Sequence, residues 1–237
     1  MILIIGSGGN GQTYFMKELK KNFLINRVDD LDYMKHMATP LNKRNKKYNF
    51  LIKNKKITKC IFLYNDPFDS ICSHFRRKWQ WQQLLKLGNS NRLSKNHVNS
   101  IHTFFNLVDK IGKDLYSIEN QFDNWYKEAN EQKYINFPIY FLNFSKIDKK
   151  ELSIFLDCKE DNINIKINKK RSDKYKDIRN IWPKVDEIYK KLYEKINNKS
   201  LEHNKKIMNG LKIKNKTIHS NNSNNSNINY KKTVISI

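Results

Sequence analysis

Near the start of the chain, Gly6-Ser7-Gly8-Gly9-Asn10-Gly11 places four glycines in one turn. Glycine adopts backbone angles that other residues avoid, so such a turn can aim successive N–H groups at a phosphate. A helix beginning just after it adds a favourable dipole. Gly6-x-Gly8-x-x-Gly11 matches the dinucleotide fingerprint, and Gly6-xxxx-Gly11-Gln12-Thr13 matches the phosphate-loop spacing with Gln12 in the lysine position. The candidate phosphate-binding residues are Gly8, Gly9, Asn10, Gly11, Gln12 and Thr13. The plain alternative is a tight turn with no ligand.

Gln12 cannot neutralise charge on β- and γ-phosphates, and no apolar run ends in a clear magnesium-binding Asp. Ordinary ATP or GTP hydrolysis is therefore set aside. A dinucleotide-binding oxidoreductase needs a second strand ending in an acid about 20 residues on. Phe23 to Val28 followed by Asp29 fits that requirement and keeps a Rossmann-type NAD(P) enzyme as the alternative.

Positioning these groups takes a strand, a turn and a helix. Ile2-Leu-Ile-Ile5 reads as a buried strand, and Gln12 to Asn22 as a helix. Asn42 to Lys47 reads as a basic, mobile-looking loop. Ile57 to Tyr64 is the next buried strand. Asp66 before Pro67 reads as an N-cap, opening a helix that runs past Trp79 toward Leu87. Helices are expected over His97–Lys110, Ile118–Glu131, Lys149–Leu156 and Ile181–Ile196, with a strand over Pro138–Phe144. The expected fold is α/β: one three-layer α/β/α domain over residues 1–209 with a central parallel sheet, followed by a flexible Asn/Ser-rich tail over 210–237.

Cys60-Ile-Phe-Leu-Tyr-Asn-Asp-Pro-Phe-Asp-Ser-Ile-Cys-Ser73 resembles the second phosphate-binding motif of the P-loop sulfotransferases. In that family a strand ends in Arg-Asp/Asn-Pro, a helix starts, and a serine follows two turns in. Asp66, Pro67, Asp69 and Ser73 stand at matching positions, and Asn65 stands at the arginine. Against the family's 5′-phosphosulfate loop, Gly11, Thr13 and Tyr14 match, and Gly9 falls on the lysine. Pro138–Leu156 is similar to a further strand-plus-helix segment, and Asn168-Lys169-Lys170-Arg171-Ser172 to the basic segment over the 3′-phosphate. The resemblance covers about Met1 to Tyr175.

It implies a P-loop-like fold that binds 3′-phosphoadenosine-5′-phosphosulfate. A sulfuryl group would pass to a hydroxyl or amine acceptor, a glycan among the candidates, with no metal. Gly8 to Thr13 would hold the 5′ side, while Asn65, Ser73, Lys169, Lys170 and Arg171 would hold the 3′-phosphate. Lys35-His36-Met-Ala-Thr-Pro40 echoes the family's Lys-x-His-x-Pro setting and makes His36 the candidate general base. Both family cations are absent, so either a nearby cation such as Lys17 substitutes, or turnover is weak, or a catalytically dead nucleotide- or polyanion-binding module persists.

His74-Phe-Arg-Arg-Lys-Trp-Gln-Trp81 is the densest basic-aromatic cluster. Phe75 and Trp79 are read as mainly core, with Arg77 or Arg76 beside the donor in place of the charge absent at Asn65. Net charge is +23, from 46 Lys plus Arg against 23 Asp plus Glu. That invites a polyanion, nucleic acid included, although lysine, asparagine and isoleucine are also what an AT-rich genome favours, and solvated surface is the favoured reading over a nucleic-acid partner. The odd, scattered Cys60, Cys72 and Cys158 exclude a disulfide scaffold, and no histidine or acid spacing fits a metal site. No apolar run approaches the ~20 residues of a membrane span. A cytoplasmic protein is expected.

Overall fold

The computed structural model describes residues 1–166 and 175–224, with the side chains of 212–224 excepted. Strand β1 (Ile2–Gly6) leads through the glycine turn into helix α1 (Gln12–Leu19). Helix α2 (Lys46–Lys53) precedes β2 (Lys59–Tyr64), which feeds α3 (Pro67–Arg76) and α4 (Gln80–Lys86). Helices α5 (Ile101–Ile111) and α6 (Ile118–Glu131) lead to β3 (Ile139–Asn143). Then come α7 (Lys149–Leu156), α8 (Lys176–Ile181) and α9 (Pro183–Asn224).

The strands form a parallel sheet in the order β1-β2-β3, with Ile4 opposite Ile61 and Ile61 opposite Tyr140. Every strand residue except Lys59 is buried, because helices cover both faces. Ile2, Ile4, Ile61, Leu63, Tyr140 and Leu142 point to one face and pack with Phe15 and Leu19 of α1 and Leu152 and Phe155 of α7. Their alternates, Leu3, Ile5, Phe62 and Phe141 among them, pack with residues of α3, α4, α5, α6 and α9 on the other. The molecule is thus an α/β sandwich around a small three-stranded sheet.

On each outer edge of that sheet one asparagine pairs with a strand residue through both backbone groups. Asn26 accepts from the Ile4 N–H at 2.7 Å and donates to the Ile4 carbonyl at 3.1 Å. Asn204 of α9 does the same to Phe141, at 3.0 and 2.8 Å. A carboxamide carries one donor face and one acceptor face, as a peptide does, so each stands in for a residue of a missing strand.

This corrects the expected strand over Phe23–Val28, which reduces to one bridge at Ile25. The loop expected over Asn42–Lys47 turns into α2 because Asn45 caps it, accepting from the Tyr48 N–H at 2.9 Å. The helix expected from Pro67 to Leu87 breaks in two. Lys78 takes φ 58°, Trp79 N–H reaches the His74 carbonyl at 3.0 Å, and Lys78 N–H reaches Phe75 at 3.0 Å. That is a Schellman stop with a lysine in the glycine's place. The helix expected over His97–Lys110 is a short 3₁₀ turn, Lys95–Val98, and then α5, restarted by its cap Ser100. The one expected over Ile181–Ile196 starts at Pro183 and runs to Asn224, beyond Asn209. Asp66 does cap α3, accepting from Phe68 N–H at 2.9 Å with Pro67 at the first helical position.

Candidate functional site

The carboxyl ends of β1 and β2 open into a cavity of about 490 Å³. Gly8, Gly9, Gly11, Gln12 and Thr13 line it from the first loop; Asn65, Asp69, Ser73, His74, Arg76 and Arg77 line it from the second loop and α3. Lys35 and His36 enter from a third segment, and Tyr14, Lys17, Trp79, Gln83 and Tyr175 complete the wall. Crevices beyond the carboxyl ends of parallel strands are where α/β proteins bind ligands.

Two glycines make the first loop fit. Gly9, at φ 70°, lies so close to α3 that a Cβ would stand 2.5 Å from the Ser70 carbonyl oxygen. Gly11, at φ 85°, is the N-cap of α1, and a Cβ there would enter the Phe144 ring. Both loops therefore form one wall, and α1 begins with amides that no side chain of its N-cap covers.

The site residues divide sharply. Asn10 is turned inward, donating to the Leu63 carbonyl at 2.9 Å and accepting from Gln12 N–H at 3.2 Å, and does not line the cavity. Gln12 is buried, its Nε2 spent on the Lys35 carbonyl at 3.0 Å, so it fastens the loops together instead of standing in for the lysine. Thr13, Asn65, Ser73, Arg77 and His36 all face the shared cavity. Lys169, Lys170 and Arg171 lie outside the described residues. Trp79, expected in the core, is 58% exposed, with the Arg77 guanidinium 5.2 Å from its ring centre.

Lys17 and Lys35 both line the cavity, and Lys35 is the buried one. Its buried Nζ donates to Thr13 Oγ1 at 2.8 Å and to the Val28 carbonyl at 3.1 Å. Burial lowers its pKa from the ordinary lysine value, against the pull of Asp30. Asp30 is the anchor of this segment. It accepts from Lys35 N–H at 2.9 Å and from Lys86 Nζ of α4 at 2.5 Å. Next along, the Met37 carbonyl accepts from Gln121 Nε2 at 2.9 Å and Trp125 Nε1 at 3.0 Å, and Ala38 from Asn124 at 3.1 Å. An irregular segment is thus held rigid by α4 and α6. The Lys35-His36 echo is local, but the bond from Lys35 to Thr13, 22 positions away, carries no sequence signal.

His36 Nδ1 lies 2.8 Å from the Gly6 carbonyl. A carbonyl only accepts, so Nδ1 carries the proton and Nε2 is the basic nitrogen. Burial lowers this imidazole to about 4. His74, stacked on Tyr116 at 5.6 Å, is driven lower than ordinary histidine by burial and by Arg77. Both rings are neutral at pH 7.

At the second loop, Arg179 of α8 gathers three carboxylates: Asp66 at 2.9 Å, Asp69 at 2.7 Å and Asp186. It also covers the Phe68 ring at 4.4 Å. Burial, with Asp66 beside it, raises Asp69 to about 6. Among the described residues no His, Cys, Asp and Glu group is placed to hold a metal, and no helix is long and apolar enough to cross a membrane. No family model, no curated protein and no solved structure matches the chain.

Proposed function

We propose that this P-loop-like protein holds 3′-phosphoadenosine-5′-phosphosulfate in the cavity and passes its sulfuryl group to a hydroxyl or amine acceptor. One observation carries the reading: the glycine loop, with the Lys35 ammonium on Thr13, shares a single cavity with Asn65, Ser73 and Arg77 of the second motif. Two anionic ends of one bisphosphorylated nucleotide suit two cradles with a cation at each.

In this reading Lys35 and the Thr13 and Tyr14 amides, the second and third of α1, take the charge that develops on the departing phosphate oxygen. Ser73, Asn65 and Arg77 hold the 3′-phosphate. The acceptor oxygen bonds to sulfur as the sulfur–oxygen bond to the 5′-phosphate breaks. The acceptor's proton passes to His36 Nε2, and adenosine 3′,5′-bisphosphate leaves. With its pKa lowered to about 4, His36 is unprotonated at neutral pH, and it is a weaker base than ordinary imidazole until the bound acceptor and phosphates raise it. The dinucleotide alternative has less behind it. Asp29 is exposed, bonded by Arg27 at 2.7 and 2.9 Å, and lies off the cavity.

Thermal shift with adenosine 3′,5′-bisphosphate, ATP and NADH tests binding, and transfer of radiolabelled sulfate to a panel of sugars and amines tests chemistry. Stabilisation by the bisphosphate alone, with transfer, supports the proposal. A bisphosphate shift without transfer leaves a binding module. Stabilisation only by NADH ends the proposal.

A further inference from the structure

The opposite end of the sheet carries a second concave surface. From Tyr33 to Asn65 the chain contains no Asp or Glu. Within that stretch Lys35 is spent in the cavity and Lys59 lies 5.9 Å over the Phe155 ring. The seven cations from Lys43 to Lys56 are all exposed, and none makes an ion pair among the described residues. Several lysines of α9, by contrast, are paired: Lys191 with Glu187, Lys195 with Glu119 and Asp123, Lys199 with Asp123, and Lys206 with Glu202.

On α2, Lys46, Phe50 and Lys53 stand at i, i+4 and i+7, one stripe, with Phe50 62% exposed. Beside the end of this helix, Lys53, Lys55, Lys133 and Tyr134 line a groove of about 260 Å³. Tyr134 is 45% exposed, with Lys133 Nζ 5.4 Å from its ring centre. The turn that presents it is pinned by buried Glu128, which accepts from the Tyr134 and Ile135 amides at 2.5 and 2.9 Å. The other carboxylate of that turn, Glu131, lies 3.9 Å from Lys127.

We infer that α2 and this groove bind single-stranded nucleic acid. Unmatched lysines along a groove attract the backbone, and two exposed aromatic rings among them offer stacking faces to any base. The groove precedes β2 and β3, whereas the cavity follows β1 and β2. A strand of six residues separates the two ends by roughly 20 Å. The groove is therefore distinct from the nucleotide cavity.

Fluorescence anisotropy with a labelled 20-nucleotide single strand, titrated at several salt concentrations, tests it. The triple variant Lys46→Gln, Lys47→Gln, Lys53→Gln is expected to bind at least tenfold more weakly and to lower the slope of log K against log salt by about 2, near 0.7 per lost phosphate contact. Phe50→Ala is expected to weaken binding roughly tenfold with the slope unchanged. The matched control Lys184→Gln, Lys190→Gln, Lys205→Gln, all on α9, is expected to have little effect. An equal loss in that control would overturn the inference in favour of diffuse charge. Displacement of the strand by saturating adenosine 3′,5′-bisphosphate would overturn it by placing the strand in the cavity. Binding to phosphatidylserine vesicles through the same residues, without strand binding, would overturn it in favour of a membrane surface.

Discussion

The two ends of the sheet use positive charge in opposite ways. At the carboxyl ends, Lys35 is buried and bonded to Thr13 and Val28, and Arg179 is bound by three carboxylates. Along α2, which leads down to the amino end of β2, Lys46, Lys47 and Lys53 stand exposed with no ion pair among the described residues. Burial removes water, so a charge there must be bonded and its position is dictated by those bonds. An exposed lysine keeps its water and its rotamer freedom, so it contributes little to stability and acts through its field. Net charge alone conceals this difference; burial and partners reveal it.

The largest expected effect lies at the buried end. Gly9→Ala places a methyl group against the Ser70 carbonyl at a left-handed φ. It should cost about 3 kcal/mol or more, lowering Tm by roughly 6–12 °C and abolishing the bisphosphate shift. A normal Tm and ligand shift in that variant would show that the two loops do not share a wall.

Arg179→Ala leaves Asp66, Asp69 and Asp186 without their common cation. All four groups are mostly buried, and a loss of about 2 kcal/mol is expected in denaturant unfolding. Asp69→Asn added to this variant should restore part of the loss, since it removes one of the crowded charges.

Acid separates the same end by its histidines. The His36 pKa is depressed in the folded chain, so its stabilising contribution is complete above the unfolded value near 6.5 and is lost as pH falls toward 4. Between pH 7 and pH 5 that amounts to about 2 kcal/mol. Asp69, raised to about 6, acts in the opposite direction, because the folded state takes up its proton first. The difference between the chain and His36→Asn in unfolding free energy should therefore change by about 2 kcal/mol across this window, and a flat difference would remove His36 from its buried setting.

Lys35→Met should weaken adenosine 3′,5′-bisphosphate at least tenfold in calorimetry, with Lys17→Met much milder. Equal losses would return the cation's role to α1. The smallest effect belongs to the exposed end. Lys46→Gln, Lys47→Gln, Lys53→Gln should leave Tm within about 1 °C and the bisphosphate affinity unchanged, and a large fall in Tm would mean that these lysines hold the fold.

Local grammar made much of the molecule legible. The apolar runs of β1, β2 and β3, the Asp66-Pro67 cap, and α6 and α7 follow from short-range rules, and the structure has them where those rules place them. The glycine loop was also readable, because positive φ at Gly8, Gly9 and Gly11 is a demand on residue type itself. The stop at Lys78 was not, since a lysine in a left-handed turn carries no sequence signal. Nor were Asn26 and Asn204, ordinary polar residues until each meets an open strand edge.

By itself, then, the sequence determined that strands pass through turns into helices, and that one of those turns can cradle an anion, because backbone angles and hydrophobic alternation are properties of neighbouring residues. Only the tertiary structure decided which turn faces which, that Lys35 rather than Lys17 reaches Thr13, and that Gln12 and Asn10 serve the loop. Those choices rest on bonds between residues 22 to 53 positions apart, and their energies exist only once water has been excluded between them.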